Sequence, residues 1–200
     1  MSDALRVLNV GGGLVPVPEA QYKGWDVDLL DIDPAVSPDI LLDARELATL
    51  PAGTYDAVYC SHNLEHYHEH EVGRVLYGFA HVLKAGGFAD IRVPDVGAVI
   101  EAMTARGLDL DAVLYQAPVG PIRLCDVLWG YARQIRESGK DYYSHKTGFT
   151  KGVLGRTLAR NGFAYVLMGG HEYELRAVAF KRKPSDARLI EVGMVSQNET

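Results

Sequence analysis

The stretch Leu5 to Gly13, read Leu-Arg-Val-Leu-Asn-Val-Gly-Gly-Gly, constrains this chain more than any other. A short apolar run rich in β-branched residues that stops at three glycines has the form of a buried strand entering a tight turn. Glycine suits such a turn for two reasons. A backbone leaving a sheet often needs positive φ, and a missing Cβ lets a ligand lie against the main chain. The expected ligand is a nucleotide-like cofactor. Three glycines alone also fit a plain turn with nothing bound, so the reading depends on the residues beyond Gly13.

Leu14 to Gly24 holds Pro16 and Pro18 and leaves room for barely two helical turns, so the first crossover is short. Trp25 to Ile32 then reads as a second strand, closing on Asp31, Ile32, Asp33 and Pro34. Asp31 stands eighteen residues beyond Gly13. At that distance a carboxylate on the tip of the neighbouring parallel strand can accept hydrogen bonds from both hydroxyls of a ribose. A turn-forming Asp before Pro34 is the blander alternative.

Asp39 to Leu42 reads as a short third strand ending at Asp43, and Ala44 to Leu50 as a helical turn on the adenine side of the expected cofactor. Tyr55 to Cys60 is a fourth strand, followed by Ser61, His62, Asn63, Leu64, Glu65 and His66. Helical spacing of Val72, Val75, Leu76, Phe79, Val82 and Leu83 predicts an amphipathic helix that Gly86 and Gly87 stop. Phe88 to Val93 is a fifth strand broken by Pro94, and Asp95 caps a helix running to Gly107. Thr150 caps the last helix, which ends at Asn161 and Gly162. The runs Phe163 to Met168 and Tyr173 to Lys181 are separated by four residues, too few for a crossover, and must be antiparallel.

This alternation predicts an α/β fold: a doubly wound, mostly parallel Rossmann-like sheet with a C-terminal antiparallel hairpin strand and a ligand at the carboxyl ends of its strands. Residues 108 to 149 depart from the alternation, with Pro118, Gly120, Pro121 and a helix around Ile122 to Arg136, and read as a lid. Residues 1 to 183 are thus expected to form one domain carrying that insertion, and 184 to 200 a tail that the pattern does not place.

Composition bears on partners. A net charge of −6 and a pI near 5.6 make a phosphate backbone a poor partner, and the basic cluster Lys181 to Lys183 reads as a solvated strand end. No stretch reaches the roughly eighteen apolar residues of a membrane span. The N-terminus lacks the pattern of a signal peptide, and Cys60 and Cys125 have no disulfide or zinc spacing, so a cytoplasmic protein is expected.

With these segments in order, the chain resembles the class I S-adenosylmethionine-dependent methyltransferases over residues 5 to 182. Val7 to Gly13 is similar to the family's first glycine motif, Leu30-Asp31-Ile32-Asp33-Pro34 to its second-strand acid, and Asp43-Ala44 to its adenine-side loop. Tyr55 to Val58 with Ser61 to His66, and Val82 to Pro94, resemble its fourth- and fifth-strand segments. Pro94-Asp95 and His145-Lys146 look like a group of small bacterial methyltransferases, type 11-like, associated with surface sugars. The resemblance implies S-adenosylmethionine as cofactor, held by Asn9, Gly11, Gly13, Asp31, Ile32, Asp43, Ala44 and Ser61, and a small-molecule acceptor such as a sugar or polysaccharide precursor. The chain departs from the family pattern at Asn9, where an acid is usual, at Val15, where a glycine is usual, and in its short first crossover. A homodimer partner is one candidate to cover the sheet face this leaves open. A degenerate cofactor-binding or scaffolding protein is the rival function. A nicotinamide dehydrogenase would use the same glycines and Asp31, but the terminal hairpin disfavours it.

Methyl transfer requires alignment of acceptor and methyl first, and a base for the acceptor proton second. His62 and His66 are the candidate catalytic bases because they come directly after the fourth strand. Tyr143 and His145 in the lid are candidates to contact the acceptor. His62, His66, His68 and His70 raise a metal reading by their spacing, but no cysteine or second cluster completes the set, and no metal is expected.

Overall fold

The computed structural model describes residues 4–193. β1 (Arg6–Val10) lies between β2 (Asp26–Asp31) and β4 (Tyr55–Ser61) and is parallel to both. β3 (Ile40–Leu41) adds in parallel outside β2, and β5 (Leu83–Pro94) in parallel outside β4. β9 (Glu174–Phe180) runs antiparallel to β5, and β8 (Tyr165–His171) pairs antiparallel with β9 at the edge, completing the order β3-β2-β1-β4-β5-β9-β8. The sequence-derived fold class holds.

Both faces of the central strands are buried, which is why β1 reads as a continuous apolar run rather than an alternation. Leu8 and Val10 pack with Val72, Val75, Leu76 and Phe79 of α2 (Glu69–Val82) and with Leu154 and Leu158 of α6 (Lys151–Arg160). Val7 points to the opposite face, among Tyr22 of α1 (Glu19–Tyr22), Phe88, Phe180 and Leu189 of α7 (Asp186–Glu191). Residues 186 to 192 therefore cover the face that the short first crossover leaves bare, with Leu189 and Val192 buried on it. Each such side chain contributes about 1.5–3 kcal/mol. Asp90 of β5 is fully buried and takes Nε and Nη2 of Arg176, both at 2.9 Å. Arg176 Nη2 also donates to the Val192 carbonyl at 3.1 Å, tying this segment to the sheet.

Four local expectations are corrected. Gly86 and Gly87 do not stop α2, which ends at Val82; they lie inside β5. A Cβ on Gly87 would stand 3.0 Å from the Asp56 carbonyl, so glycine serves the close approach of β5 to β4 where their register shifts. Nor is Ile122 to Arg136 one helix. β6 (Val113–Ala117) and β7 (Gly120–Arg123) form a hairpin after α3 (Val96–Arg106), followed by α4 (Leu124–Trp129) and α5 (Ala132–Ser138). Gly130, at φ 95° and with its Cβ position 2.5 Å from the Tyr143 carbonyl, separates the two helices. Gly169 and Gly170 belong to β8, and the turn to β9 is Glu172-Tyr173 alone, with Glu172 at φ 50°. Thr150 occupies the N-cap position of α6, but its hydroxyl makes no capping bond. Among the described residues no helix is long and apolar enough to cross a membrane.

Candidate cofactor and acceptor cleft

At the carboxyl ends of β1, β2 and β4 the chain leaves a cleft of about 790 Å³, roofed by residues 131 to 146. One half is built from backbone. Gly11 and Gly13 have φ of 67° and 54°, and a Cβ on Gly11 would fall 2.1 Å from Asn63 Nδ2. The Gly13 amide donates to Asp31 Oδ2 at 3.0 Å and the Asp33 amide to Asp31 Oδ1 at 2.9 Å, so the acid at the tip of β2 and the glycine turn form one unit. Asn9 lies beneath that turn, 3% exposed, donating to the Val15 carbonyl at 3.2 Å while its Oδ1 has no hydrogen-bond partner. Its Nδ2 would be 2.2 Å from a Cβ on Gly12.

Ile32 and Ser61 line this half. Ala44 does not: its side chain is buried in the core, leaving its backbone alone to meet a ligand. Asp43 lines the cleft with its carboxylate already engaged. Oδ1 accepts the Arg45 amide at 2.9 Å, and both oxygens take the Arg45 guanidinium, which also pairs with Glu71. Burial opposes the charge on Asp43, but those bonds outweigh it and hold its carboxyl below the usual range.

The other half is built from side chains remote in sequence. His62, at φ 50° and half-exposed, places Nε2 3.0 Å from Glu174 Oε2 and Nδ1 3.5 Å from Glu65 Oε1. Burial opposes its charge, but the attraction of Glu174 and Glu65 outweighs burial and carries the imidazole up to about 10. His66 Nδ1 lies 3.1 Å from the Ser144 carbonyl, and His145 Nδ1 2.9 Å from that of Val127. A carbonyl only accepts, so both rings carry hydrogen on Nδ1. Glu65 is 1% exposed, and neither carboxylate oxygen has a hydrogen-bond partner. Its backbone carbonyl takes the amides of Lys146 and Thr147, at 2.8 and 3.1 Å. Residues 108 to 149 are fastened a second time across the cleft, where Lys140 Nζ and the Tyr143 hydroxyl donate to Asp33 Oδ2 at 2.7 and 3.3 Å.

Residues 8–90 match a family model described as a methyltransferase domain. That match spans less than half of the chain. Solved structures share the fold. A SAM dependent methyltransferase from Archaeoglobus fulgidus superposes with a TM-score of 0.57 at 15% identity, covering 88% of this chain and 86% of that one. A protein from Pyrococcus horikoshii OT3 does so at 0.56 and 14% identity, over 91% and 84%. The 1,6-didemethyltoxoflavin-N1-methyltransferase of Burkholderia thailandensis, solved with 1,6-didemethyltoxoflavin and S-adenosylhomocysteine bound, gives 0.51 at 17% identity, over 91% and 72%. A search of curated protein sequences returns no match.

Gly11, Gly13, Asp31 and Asp43 line one cleft, and His66, Tyr143 and His145 line it with them. His62 is present but does not fit the role of base, because an imidazole that already holds its proton between two carboxylates cannot accept another. Four residues that shape the cleft escape sequence reasoning: Arg45, Glu65, Lys140 and Glu174. Glu65, Lys140 and Glu174 act through partners brought close by the fold, and Arg45 joins its neighbour Asp43 to the distant Glu71; the local signs, Asp43-Ala44-Arg45 and Glu65-His66, read equally as ordinary charged turns.

Proposed function

We propose that this chain is a methyltransferase that moves the methyl group of S-adenosylmethionine to a hydroxyl of a small polar acceptor of the sugar class. The observation that carries the reading is the joined unit of Gly13 and Asp31 at the mouth of the cleft. Its positive-φ turn leaves the backbone bare for an adenosine moiety, while the Asp31 carboxylate, 8% exposed, is held at the strand tip where ribose hydroxyls would reach it. Asp43 takes the adenine amine through the face that Arg45 leaves open, and Ile32, Ser61 and the Ala44 backbone complete the adenosine side. Residues 108 to 149 act as the lid. Tyr143 and His145 face the acceptor together with His66, whose Nε2 carries a lone pair in the neutral ring. Aromatic faces alternating with Gln134, Asp141 and Lys146 along the roof suit a hydroxyl-rich ring.

The engaged state of Asp43 favours one other reading, a cofactor-binding protein without turnover. Two measurements separate the possibilities. Calorimetric titration with S-adenosylhomocysteine gives one site per chain under either reading. Labelled methyl from S-adenosylmethionine passes to a hydroxylated acceptor panel only under the first. Absence of nucleotide binding rejects both.

A further inference from the structure

Behind the acceptor half lies a polar cluster that methyl-group alignment does not explain. Ligand atoms of Glu65, His66 and His145 lie within 4.8 Å of one another, and Glu65 Oε1 is 3.9 Å from His145 Nε2. The rings of His66 and His145 meet edge to face with centroids 4.9 Å apart. Both rings give their Nδ1 hydrogen to a backbone carbonyl, so in the neutral rings each Nε2 presents a lone pair. The carboxylate they approach is 1% exposed with both oxygens unpartnered. The three side chains thus gather with no hydrogen bond among them. His62 Nδ1 stands 3.5 Å from Oε1, an ion pair without a hydrogen bond, so this buried carboxylate is only partly compensated and would gain from a cation in direct contact.

We propose that Glu65, His66 and His145 bind one divalent first-row transition cation whose remaining positions open onto the acceptor half of the cleft. Two imidazoles and a carboxylate are a borderline donor set, suited to zinc, iron, cobalt or manganese rather than to magnesium or calcium. Carbonyl bonds that fix the far nitrogen of each ring are the outer support that ligating histidines ordinarily have. Metal–nitrogen and metal–oxygen bonds of about 2.0–2.2 Å require the three ligand atoms, now within 4.8 Å of one another, to draw closer. His62 is the nearest further ring, with Nδ1 3.5 Å from Glu65 Oε1.

This inference rests on the methyl-transfer reading only for its use, not for its existence. A cation facing the cleft would take an acceptor hydroxyl as a ligand, and an acceptor with two adjacent hydroxyls would fill two positions. The bound hydroxyl then loses its proton to solvent water more readily. Its oxygen forms the bond to the methyl carbon as the carbon–sulfur bond breaks, and that electron pair returns to sulfur as a neutral thioether.

The test uses Co²⁺ alone as probe. The full chain is freed of metal by chelation and titrated without nucleotide. One equivalent should bind with a visible absorption band, and Zn²⁺ should displace it. Glu65→Gln and His145→Ala should each weaken Co²⁺ binding at least tenfold. His70→Ala, in the exposed His68–His70 stack at the start of α2, should leave it within threefold. Thermal unfolding of each variant confirms folding, and where Glu65→Gln does not fold, His145→Ala and His66→Ala decide. No stoichiometric binding by the parent chain, or unchanged binding in folded His145→Ala, overturns the site. S-adenosylhomocysteine titration is run separately. Nucleotide binding without cobalt binding rejects the metal and spares the methyl-transfer reading; cobalt binding without nucleotide binding supports the metal and counts against that reading.

Discussion

The two halves of the cleft are built by different rules. The nucleotide half is a short piece of chain: a strand, three glycines and an acid at the next strand tip, joined by backbone amides to one carboxylate. The acceptor half is an assembly. His66 is oriented by Ser144, Lys146 and Thr147 hang on the Glu65 carbonyl, and His62 is claimed by Glu174 from the far end of the β8–β9 hairpin. One half depends on local conformation, the other on packing between segments scores of residues apart. Substitutions in the two halves should therefore separate cofactor binding from turnover.

The largest effect should come from His66→Ala or His145→Ala, which remove a ring that would serve the acceptor either directly or through a bound cation. Turnover should fall by about a hundred- to ten-thousandfold, the range for groups that handle a reacting proton. S-adenosylhomocysteine affinity, measured by calorimetry, should stay within about threefold. Comparable losses in both quantities would erase the distinction between the halves. Asp31→Ala should do the opposite. Losing charge-assisted hydrogen bonds costs about 1.5–3 kcal/mol, which is about ten- to a hundredfold in nucleotide affinity. A nucleotide affinity unchanged in that variant removes the ribose assignment.

A smaller effect is expected where the lid crosses to the nucleotide side. Lys140→Ala frees one of the two side chains that reach Asp33 and should raise the acceptor KM by about two- to fivefold, in keeping with a part-exposed ion pair. Steady-state kinetics with saturating S-adenosylmethionine would show it. The smallest effect is in pH. The Lys140 ammonium, and after it the Ala35 amide, hold the Asp33 carboxyl down to about 2. A carboxyl held low in the folded chain stabilises it above the unfolded value of about 4 and ceases to do so as the pH falls through the folded value. The melting-temperature gap between the parent chain and Asp33→Asn should be constant from pH 7 to about 4 and narrow toward pH 2. A gap that widens in acid would show that Asp33 is not the charged partner of the lid.

What the sequence disclosed tracks the same division. Strand order, the glycine turn, Asp31 and the antiparallel ending come from periodicity and from loop lengths too short for a crossover, both properties of neighbouring residues. The glycines at 86 and 87 misled because a glycine marks a special backbone need without saying whether a helix end or a close strand is the cause. The lid misled more. Ile122 to Arg136 has helical composition apart from Gly130, and the close approach of Gly130 to the Tyr143 carbonyl, at φ 95°, explains why the helix breaks there. Glu65 was out of reach for a similar reason: in a stretch of charges and histidines nothing distinguishes a carboxylate that the fold will bury completely.

The Asp90–Arg176 pair carries a consequence for how the chain reaches its fold. β5 gains its second neighbour only when β9 arrives, and the paired residues are 86 positions apart. A chain still emerging from synthesis thus holds β5 as an edge strand, with Ala89, Ile91 and Val93 waiting for cover. Such an edge invites pairing with the same strand of another nascent chain. An inward-facing charge discourages it, because a foreign strand would bury that carboxylate without a partner. Asp90 thus keeps the edge unattractive to strands that bring no cation, until β9 supplies the Arg176 guanidinium.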